Sequence, residues 1–375
     1  RNRGINASTW TSFPRLITSV DWLKAGEPLR MMRDVLPVHA TYPRKFDMLI
    51  VDEAHNVAPA GSTNYVIESQ RTRLIRRIAP HFQHRLFLTA TPHNGYTESF
   101  TSLLELLDNQ RFSRNIMPEE KQLSQVMVRR LKTDLVDSEG KPLYPKRNLR
   151  SLAIPFTDME REMHAMLDEY TKSREVTARE TASTGTKFVN TLLKKRLFSS
   201  PAAFASTLEK HIHTLGSKGT RQEKDVLSER ILRKAIAKAE EDYADDARAE
   251  EMRDEAVEEA SKRSAPLTEK EKKLIEKMRA WAQGAANKAD SKAKAIVEWI
   301  ESNLKTDGQW NDRRVILFTE YRTTHQWLHR ILSAHGFGGD RLDIIHGGMD
   351  QEDREKVKAA FQTNPKNSDV RILLA

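Results

Sequence analysis

The chain contains no cysteine among its 375 residues. This absence excludes a disulfide framework and any zinc site with thiolate ligands. The sequence also lacks an apolar run near the roughly 20 residues that a membrane-spanning helix needs, and no charged-then-apolar leader opens it. We therefore expect a soluble, cytoplasmic protein that is compatible with a reducing compartment and has no membrane partner.

A phosphate-binding loop of the form G-x-x-x-x-G-K-[ST] is missing as well. The Gly140-Lys141 pair has neither the upstream glycine nor the following hydroxyl that the loop requires. If the chain handles a nucleotide, the residues that cradle its phosphates are therefore not present in this stretch of sequence.

Acidic residues are unevenly distributed, although the formal net charge is +9. Residues 240 to 259 hold eleven Asp or Glu against two Arg, a net charge of −9, so the remainder carries about +18 by subtraction. Such a surplus is typical of a surface that binds phosphates, and the binding should weaken strongly with salt. The charge alone does not distinguish a specific nucleic-acid site from merely nonspecific affinity for nucleic acid.

The tetrad Asp52-Glu53-Ala54-His55 directly follows the apolar, β-prone run Met48 to Val51. That run predicts a buried strand of a parallel sheet, and ligands bind at the carboxyl ends of such strands. Adjacent acids without a cation repel each other, so Mg²⁺ with a phosphate is their natural partner. Asp52 would then hold the metal through water, and Glu53 would orient an attacking water. The alternative is a solvated acidic turn.

A second strand is predicted at Arg85 to Thr91, where Thr89 and Thr91 bracket a small residue at the strand's end. Their hydroxyls would emerge beside the acidic motif and form hydrogen bonds with it. Between the strands, residues 65 to 78 carry apolar residues at helical spacing, which predicts a crossover helix with a basic face. The unit is strand, helix, strand.

The strings IVDEAH and LTATPHNG, in this order, resemble motifs II and III of superfamily 2 helicases, in their Swi/Snf-type branch of double-stranded DNA translocases. The resemblance implies an α/β fold with two incomplete RecA-like lobes, which are parallel sheets flanked by helices, joined by a long helical insertion. It also implies ATP and Mg²⁺ as ligands bound by Asp52 and Glu53 between the lobes. His55, Thr89 and Thr91 would couple hydrolysis to lobe movement.

Further segments resemble nucleic-acid-binding parts of this family. Leu16 to Leu23 resembles motif Ib, a strand leading into a helix, in which Thr18 and Ser19 would touch the DNA phosphate backbone. Val126 to Lys132 resembles a segment that closes the first lobe. It places Arg129, Arg130 and Lys132 on a short stretch near the interlobe cleft, with a solvated basic turn as the alternative.

The second lobe is predicted to begin with the β-prone run Arg314 to Thr319, which is similar to motif IV. Leu342 to Met349 follows as a strand that ends in a Gly pair, and glycine permits close approach of the backbone to a ligand. The resemblance implies that His346, Gly347 and Gly348 lie along the nucleic-acid backbone. As a lone feature, this triplet is more often an ordinary turn. Residues 370 to 375 predict a third strand.

Three parts are expected in the chain: residues 1–135 as the back of lobe one, 136–290 as a helical insertion, and 291–375 as the front of lobe two. Capping boxes predict helices after Thr157 and Thr268. The basic run Lys194-Lys195-Arg196 either meets DNA or lies on a bare surface helix. The charged segment 216–265 predicts a solvated helix, a helical hairpin or partial disorder, with almost no core.

These features predict an ATP-dependent double-stranded DNA translocase. A strand-separating DNA or RNA helicase and a non-catalytic nucleic-acid-binding scaffold are the alternatives. The family's arginine fingers are not found, so the chain resembles an internal fragment that is inactive by itself. Within the branch it looks most like bacterial helicases of the DrmD type from DISARM antiphage systems, with RapA-like factors as neighbours. That resemblance implies a bacterial cytoplasm and protein partners of a defence or transcription complex.

Overall fold

The computed structural model describes residues 8–24, 26–59, 69–93, 95–181, 184–216, 226–239 and 245–375. They form a mixed α/β structure in which small parallel sheets are flanked by helices, as the sequence predicts. The chain divides into two compact units, Arg1–Asn148 and Leu149–Ala375. In the described ranges, every helix is too short or too polar to traverse a lipid bilayer. The RecA-like identity of the lobes and the three-part division stay predictions.

The first unit is built around strands β1 (Phe46–Val51) and β2 (Phe82–Phe87), which pair in parallel. Its helices are α1 (Thr9–Ser12), α2 (Val20–Leu23), α3 (Gly26–Val35), α4 (Gln70–Ile78), α5 (Thr97–Leu107) and α6 (Glu120–Ser124). Short 3₁₀ turns lie at Ala54–Val57, Ala79–His81 and Lys132–Asp134.

Helix α4 confirms the predicted crossover between the two strands. Ser69 caps it by accepting a hydrogen bond from the Thr72 amide at 3.1 Å. Its apolar residues at helical spacing, Leu74, Ile75 and Ile78, are buried against the sheet in one core cluster. The first part of the predicted helix, residues 65 to 68, lies outside the described residues.

Three predictions for this unit are wrong. The second strand is Phe82–Phe87 and not Arg85 to Thr91, because its pairing with β1 ends at Phe87, so Thr89 and Thr91 lie in the loop after the strand. The run Met48 to Val51 is not a buried strand, because Met48 is 50% and Ile50 is 57% exposed. Only one face of β1 is covered in the described chain, so alternate residues remain in solvent. The segment Leu16 to Ser19 is not a strand, since no described strand pairs with it. Ile17 is accordingly fully exposed.

The second unit starts with helices and ends with a sheet. The helices of its first part are α7 (Asp158–Thr181), α8 (Thr184–Ser199), α9 (Pro201–Gly216), α10 (Val226–Ala239), α11 (Asp246–Lys262), α12 (Glu269–Ala285) and α13 (Ser291–Leu304). The elements that follow are β3 (Lys305–Thr306), β4 (Gln309–Trp310), β5 (Val315–Leu317), α14 (Arg322–Leu332), β6 (Leu342–Ile344), α15 (Gln351–Gln362) and β7 (Ile372–Leu374). Strands β5, β7 and β6 form a parallel sheet in that order.

Both predicted capping boxes are present. The Thr157 side chain and Glu160 exchange hydrogen bonds at the start of α7, and Thr268 and Glu271 do the same at the start of α12. On one face of α7, Met163, Leu167 and Tyr170 are buried, whereas Met159 in the first turn is 51% exposed.

The charged segment 216–265 has more core than its sequence predicts. Helices α10 and α11 pack together, and Ala256, Val257 and Ala260 of α11 are fully buried. A β-carbon placed on Gly185 of α8 would lie 3.0 Å from the Ala260 β-carbon, so small residues bring the two helices into close contact. The prediction of an almost core-less stretch is wrong, because Leu232 and Ile236 of α10 are buried together with these small side chains of α11. Residues 217–225 and 240–244 lie outside the described residues.

A buried polar chain crosses the helical part of this unit. The Tyr170 hydroxyl lies 2.7 Å from His211 Nε2, and His211 Nδ1 lies 2.7 Å from Ser261 Oγ. Burial, together with the nearby Arg174 charge, lowers the pKa of His211 to about 3. The imidazole is therefore neutral in the folded protein over the whole range in which an unfolded histidine takes up its proton.

We expect replacement of His211 by Gln to reduce the slope of the free energy of unfolding against pH, while His81, His164 and His325, whose pKa values burial also lowers, keep their share of it. In the wild type, only the unfolded state binds this proton between pH 6.5 and 3, so stability that is full above pH 6.5 is lost as the pH falls. The slope is at most one proton, ~1.4 kcal/mol per pH unit. Urea unfolding at several values between pH 7.5 and 5 measures it.

His213→Gln is the matched control, because His213 is exposed on the same helix. It should retain the wild-type slope. Burial raises the pKa of Glu160, but hydrogen bonds from Ser291 and Thr157 outweigh this effect and lower the pKa to about 2. Glu160 therefore affects stability only below pH 4.5 and does not change the slope between pH 7.5 and 5. A His211→Gln variant with an unchanged slope would contradict the expectation.

Candidate functional site

The acidic motif lies at the carboxyl end of β1, as predicted. Asp52 and Glu53 are both exposed, and the Glu53 amide donates a hydrogen bond to Asp52 Oδ1 at 3.0 Å. Glu53 has φ 46° and ψ 49°, a left-handed conformation that is unusual outside glycine. Such strained residues persist where their surroundings hold them, and they concentrate at functional sites.

Backbone hydrogen bonds hold this turn against the end of β2. The Leu88 amide donates to the Val51 carbonyl at 2.9 Å, and the Ala54 amide donates to the Leu88 carbonyl at 2.9 Å. These bonds continue the parallel ladder past the last paired strand residues. The acidic motif therefore has a fixed register relative to the residues that follow β2.

Side chains complete the connection between the two strand ends. His55 Nδ1 lies 3.0 Å from Thr89 Oγ1 and 3.3 Å from Glu53 Oε2. The Thr91 amide donates to Thr89 Oγ1 at 3.1 Å, while the Thr91 side chain is exposed. The structure thus brings Glu53, His55 and Thr89 together, and Thr91 joins the group through its backbone.

Two exposed carboxylates at a strand end fit a magnesium ion that is carried by a nucleotide. Among the described residues, no three His, Asp or Glu side chains are grouped closely enough to hold a metal ion alone. Mg²⁺ in phosphate-transfer sites usually takes one or two carboxylates together with phosphate oxygens and water. Asp52 and Glu53 match that donor set.

The candidate DNA-binding residues of the first unit are accessible. Thr18 and Ser19 precede α2, and Ser19 caps it by accepting a hydrogen bond from the Asp21 amide at 3.2 Å. Capping uses the oxygen of this hydroxyl, so its hydrogen can be donated to a phosphate. Arg71 of α4 donates two hydrogen bonds of 2.8 Å to Asp21, which fixes α2 on α4.

The basic segment after α6 is also at the surface. Arg129 and Arg130 are exposed, and the Lys132 ammonium lies 5.3 Å from the centre of the Tyr144 ring. The residues before them, Val126 and Met127, pack against a small apolar cluster. The segment is therefore anchored at its start, and its three charges are exposed, with Lys132 at the start of the 3₁₀ turn Lys132–Asp134.

In the second unit, the triplet His346-Gly347-Gly348 follows β6 as predicted, but acidic residues of α11 contact it. The Gly347 amide donates a hydrogen bond to Asp246 Oδ2 at 2.6 Å. Gly348 has φ +82°, and a β-carbon there would lie 2.8 Å from Asp245 Oδ1. These contacts were not foreseen. The only signal in the sequence is the acidic block around residues 240 to 259.

The basic run in α8 is divided between different environments. Lys194 pairs with Asp168 at 2.9 Å, and Lys195 is exposed. Arg196 is fully buried: its Nη1 donates to Glu250 Oε1 at 2.9 Å, and its guanidinium lies 4.0 Å from the centre of the Tyr321 ring. The prediction that all three cations meet DNA or lie on a bare surface is wrong for Arg196, because it lies on the buried face of the helix.

No family model matches the chain. Over 106 residues, the chain is 35% identical to the RNA polymerase-associated protein RapA of Haemophilus influenzae. The match spans 28% of this chain and 10% of the length of RapA. It agrees with the RapA-like resemblance of the motifs and supports a relationship at the level of superfamily 2. It does not single out the DrmD type.

Proposed function

We propose that this chain is part of an ATP-dependent double-stranded DNA translocase of the Swi/Snf type. The observation that carries the proposal is the joined set of Glu53, His55 and Thr89 at the ends of two parallel strands. The two candidate motifs come from different parts of the sequence, and their side chains meet at the sheet edge where ligands bind in open α/β folds. The partial similarity to RapA supports the same branch.

Each residue of this group has a chemical role in the proposal. Asp52 would hold the Mg²⁺ of a bound nucleotide through water, and that ion would neutralise charge on the phosphate oxygens. Glu53 would orient the water that attacks the terminal phosphate and would take up its proton, while the bond from that phosphate to the ADP leaving group breaks. His55 contacts both Glu53 and Thr89, so the position of the base is linked to the end of β2.

The DNA contacts in the proposal are made by cations, hydroxyls and backbone amides. Phosphate contacts by such groups give affinity without base specificity. The residues concerned are Thr18, Ser19, Arg129, Arg130, Lys132, His346, Gly347 and Gly348. Because several of them are exposed cations, affinity should fall steeply as salt rises.

ATP hydrolysis by the intact protein should be stimulated by blunt duplex DNA. A translocase needs only the duplex, whereas a strand-separating enzyme needs a single-stranded tail for loading. Phosphate release is measured with blunt duplex, tailed duplex and single strands at equal nucleotide concentration. Stimulation by tailed or single-stranded DNA alone would favour the strand-separating helicase, and absence of hydrolysis with all three would favour the scaffold.

The finer role remains part of the proposal. The sequence segments LTATPHNG and VMVRRLK support a DrmD-type protein of antiphage defence. The name of RapA, an RNA polymerase-associated protein, supports a partner in transcription instead. Co-sedimentation of the intact protein with purified RNA polymerase separates the two, because a polymerase-associated protein forms that complex without any phage component.

A further inference from the structure

The N-terminus of α11 occupies a loop that the proposed function assigns to DNA. Asp246 Oδ2 accepts the hydrogen bond of the Gly347 amide at 2.6 Å. Asp245 lies over the next residue, with Oδ1 2.8 Å from the position of a β-carbon on Gly348. Two carboxylates are thus placed against the Gly pair whose lack of side chains would otherwise admit a phosphate.

Further hydrogen bonds hold the N-terminus of α11 in this position. Asp245 caps α11 by accepting a hydrogen bond from the Ala247 amide at 2.9 Å. One turn further along, Glu250 Oε1 accepts hydrogen bonds from Thr323 at 2.8 Å and from Arg196 at 2.9 Å. Helix α11 is therefore attached to α14 and α8, and these contacts hold its acidic end at the loop.

The loop has other supports for its shape. Arg354 of α15 donates a hydrogen bond to the His346 carbonyl at 3.0 Å, and His346 Nδ1 lies 2.8 Å from the Gly347 carbonyl. Other residues therefore hold the turn, and the carboxylate of Asp246 accepts the hydrogen bond of the Gly347 amide.

A carboxylate oxygen and a phosphate oxygen are equivalent acceptors for a backbone amide. The Gly347 amide has one hydrogen, so Asp246 and a phosphate cannot both receive it in full. The negative charges of Asp245 and Asp246 also repel an approaching phosphate. While α11 is docked, nucleic acid is excluded from this loop.

We propose that the N-terminus of α11 is an autoinhibitory phosphate mimic, which the DNA backbone must displace from the Gly347-Gly348 loop before it binds there. The inference rests on the proposed function, because it needs the loop to be a DNA contact. It adds that the acidic insertion sets the affinity for DNA. Binding of DNA at this loop breaks the Asp246 contact. The state with α11 docked therefore binds DNA more weakly than the undocked state, by the coupling free energy between undocking and DNA binding.

The test compares Asp246→Ala and Asp246→Asn with wild type, using the full chain and a labelled blunt duplex. Fluorescence anisotropy is measured over a range of salt concentrations. Asp246→Ala removes the charge and the acceptor and should tighten binding by about tenfold, while Asp246→Asn keeps a neutral acceptor and should tighten it less. One additional phosphate contact should also steepen the plot of log affinity against log salt by about one.

Glu251→Gln is the matched control, because Glu251 is an exposed acid on the same helix and its change alters the charge equally. It should leave the salt slope unchanged. Thermal melts of every variant exclude loss of fold as the cause, and the milder Asp246→Asn provides the answer if the alanine variant unfolds.

The outcomes separate this inference from the proposed function. Tighter binding and a steeper slope for the Asp246 variants alone would support it, including the case in which only these variants bind. Equal behaviour of the Asp246 and Glu251 variants, with wild type binding duplex, would overturn the inference and leave DNA binding in place. No binding by any variant would overturn DNA binding by this chain and the inference with it.

Discussion

The Glu53→Gln variant of the intact protein is expected to bind ATP almost as well as wild type and to lose hydrolysis by about 10²–10⁴-fold. Glutamine has the size of glutamate but cannot accept a proton from the attacking water. Glu53 is exposed and takes part in no core packing, so the change should not unfold the protein. Phosphate release and binding of a fluorescent ATP analogue measure the two properties separately.

Asp47→Asn is a suitable control for this change. Asp47 is an exposed acid in the first half of β1, whereas Glu53 follows the strand's other end. The same conversion of acid to amide on the same strand should leave hydrolysis unchanged. Normal turnover by Glu53→Gln would show that Glu53 does not act on the water and would remove the central residue of the proposed mechanism.

The elements that the sequence predicts well depend on local patterns. Strands β1 and β2, the crossover helix α4 and the capped helices α7 and α12 follow from apolar periodicity and capping residues within a short window. The meeting of the acidic motif with Thr89 was also predictable, because parallel strands present their carboxyl ends at one edge. Packing partners are not local, so the exposure of Met48 and Ile50 was missed.

The contact between Asp246 and Gly347 joins residues 101 positions apart. Acidic side chains on a helix ordinarily face solvent, so the sequence gives no reason to dock this helix on a loop. The helical phase of α8 does contain a usable signal. Val189, Leu193 and Arg196 recur at helical spacing, and all three are buried. A basic residue on such a stripe indicates a buried ion pair.

Arg196→Ala should lower the free energy of unfolding by about 3 kcal/mol, because it leaves Glu250 without its cation. That value is at the low end for a broken buried pair, because the Glu250 side chain is 16% exposed and water can partly solvate the carboxylate left behind. The variant also loses the contact of the guanidinium with the Tyr321 ring at 4.0 Å. Urea unfolding followed by circular dichroism measures the loss.

Two further variants distinguish a broken ion pair from a general loss of side-chain volume or of DNA contact. Lys195→Ala changes the adjacent exposed cation and should alter stability by no more than about 0.5 kcal/mol. In the double variant Arg196→Met with Glu250→Gln, both charges are removed and much of the volume is kept. Arg196 Nε and Nη2 have no hydrogen-bond partner among the described residues, so the native pair is only partly satisfied. The double variant should therefore recover most of the lost stability, whereas a DNA-binding Arg196 would show normal stability and weaker DNA affinity in the single variant.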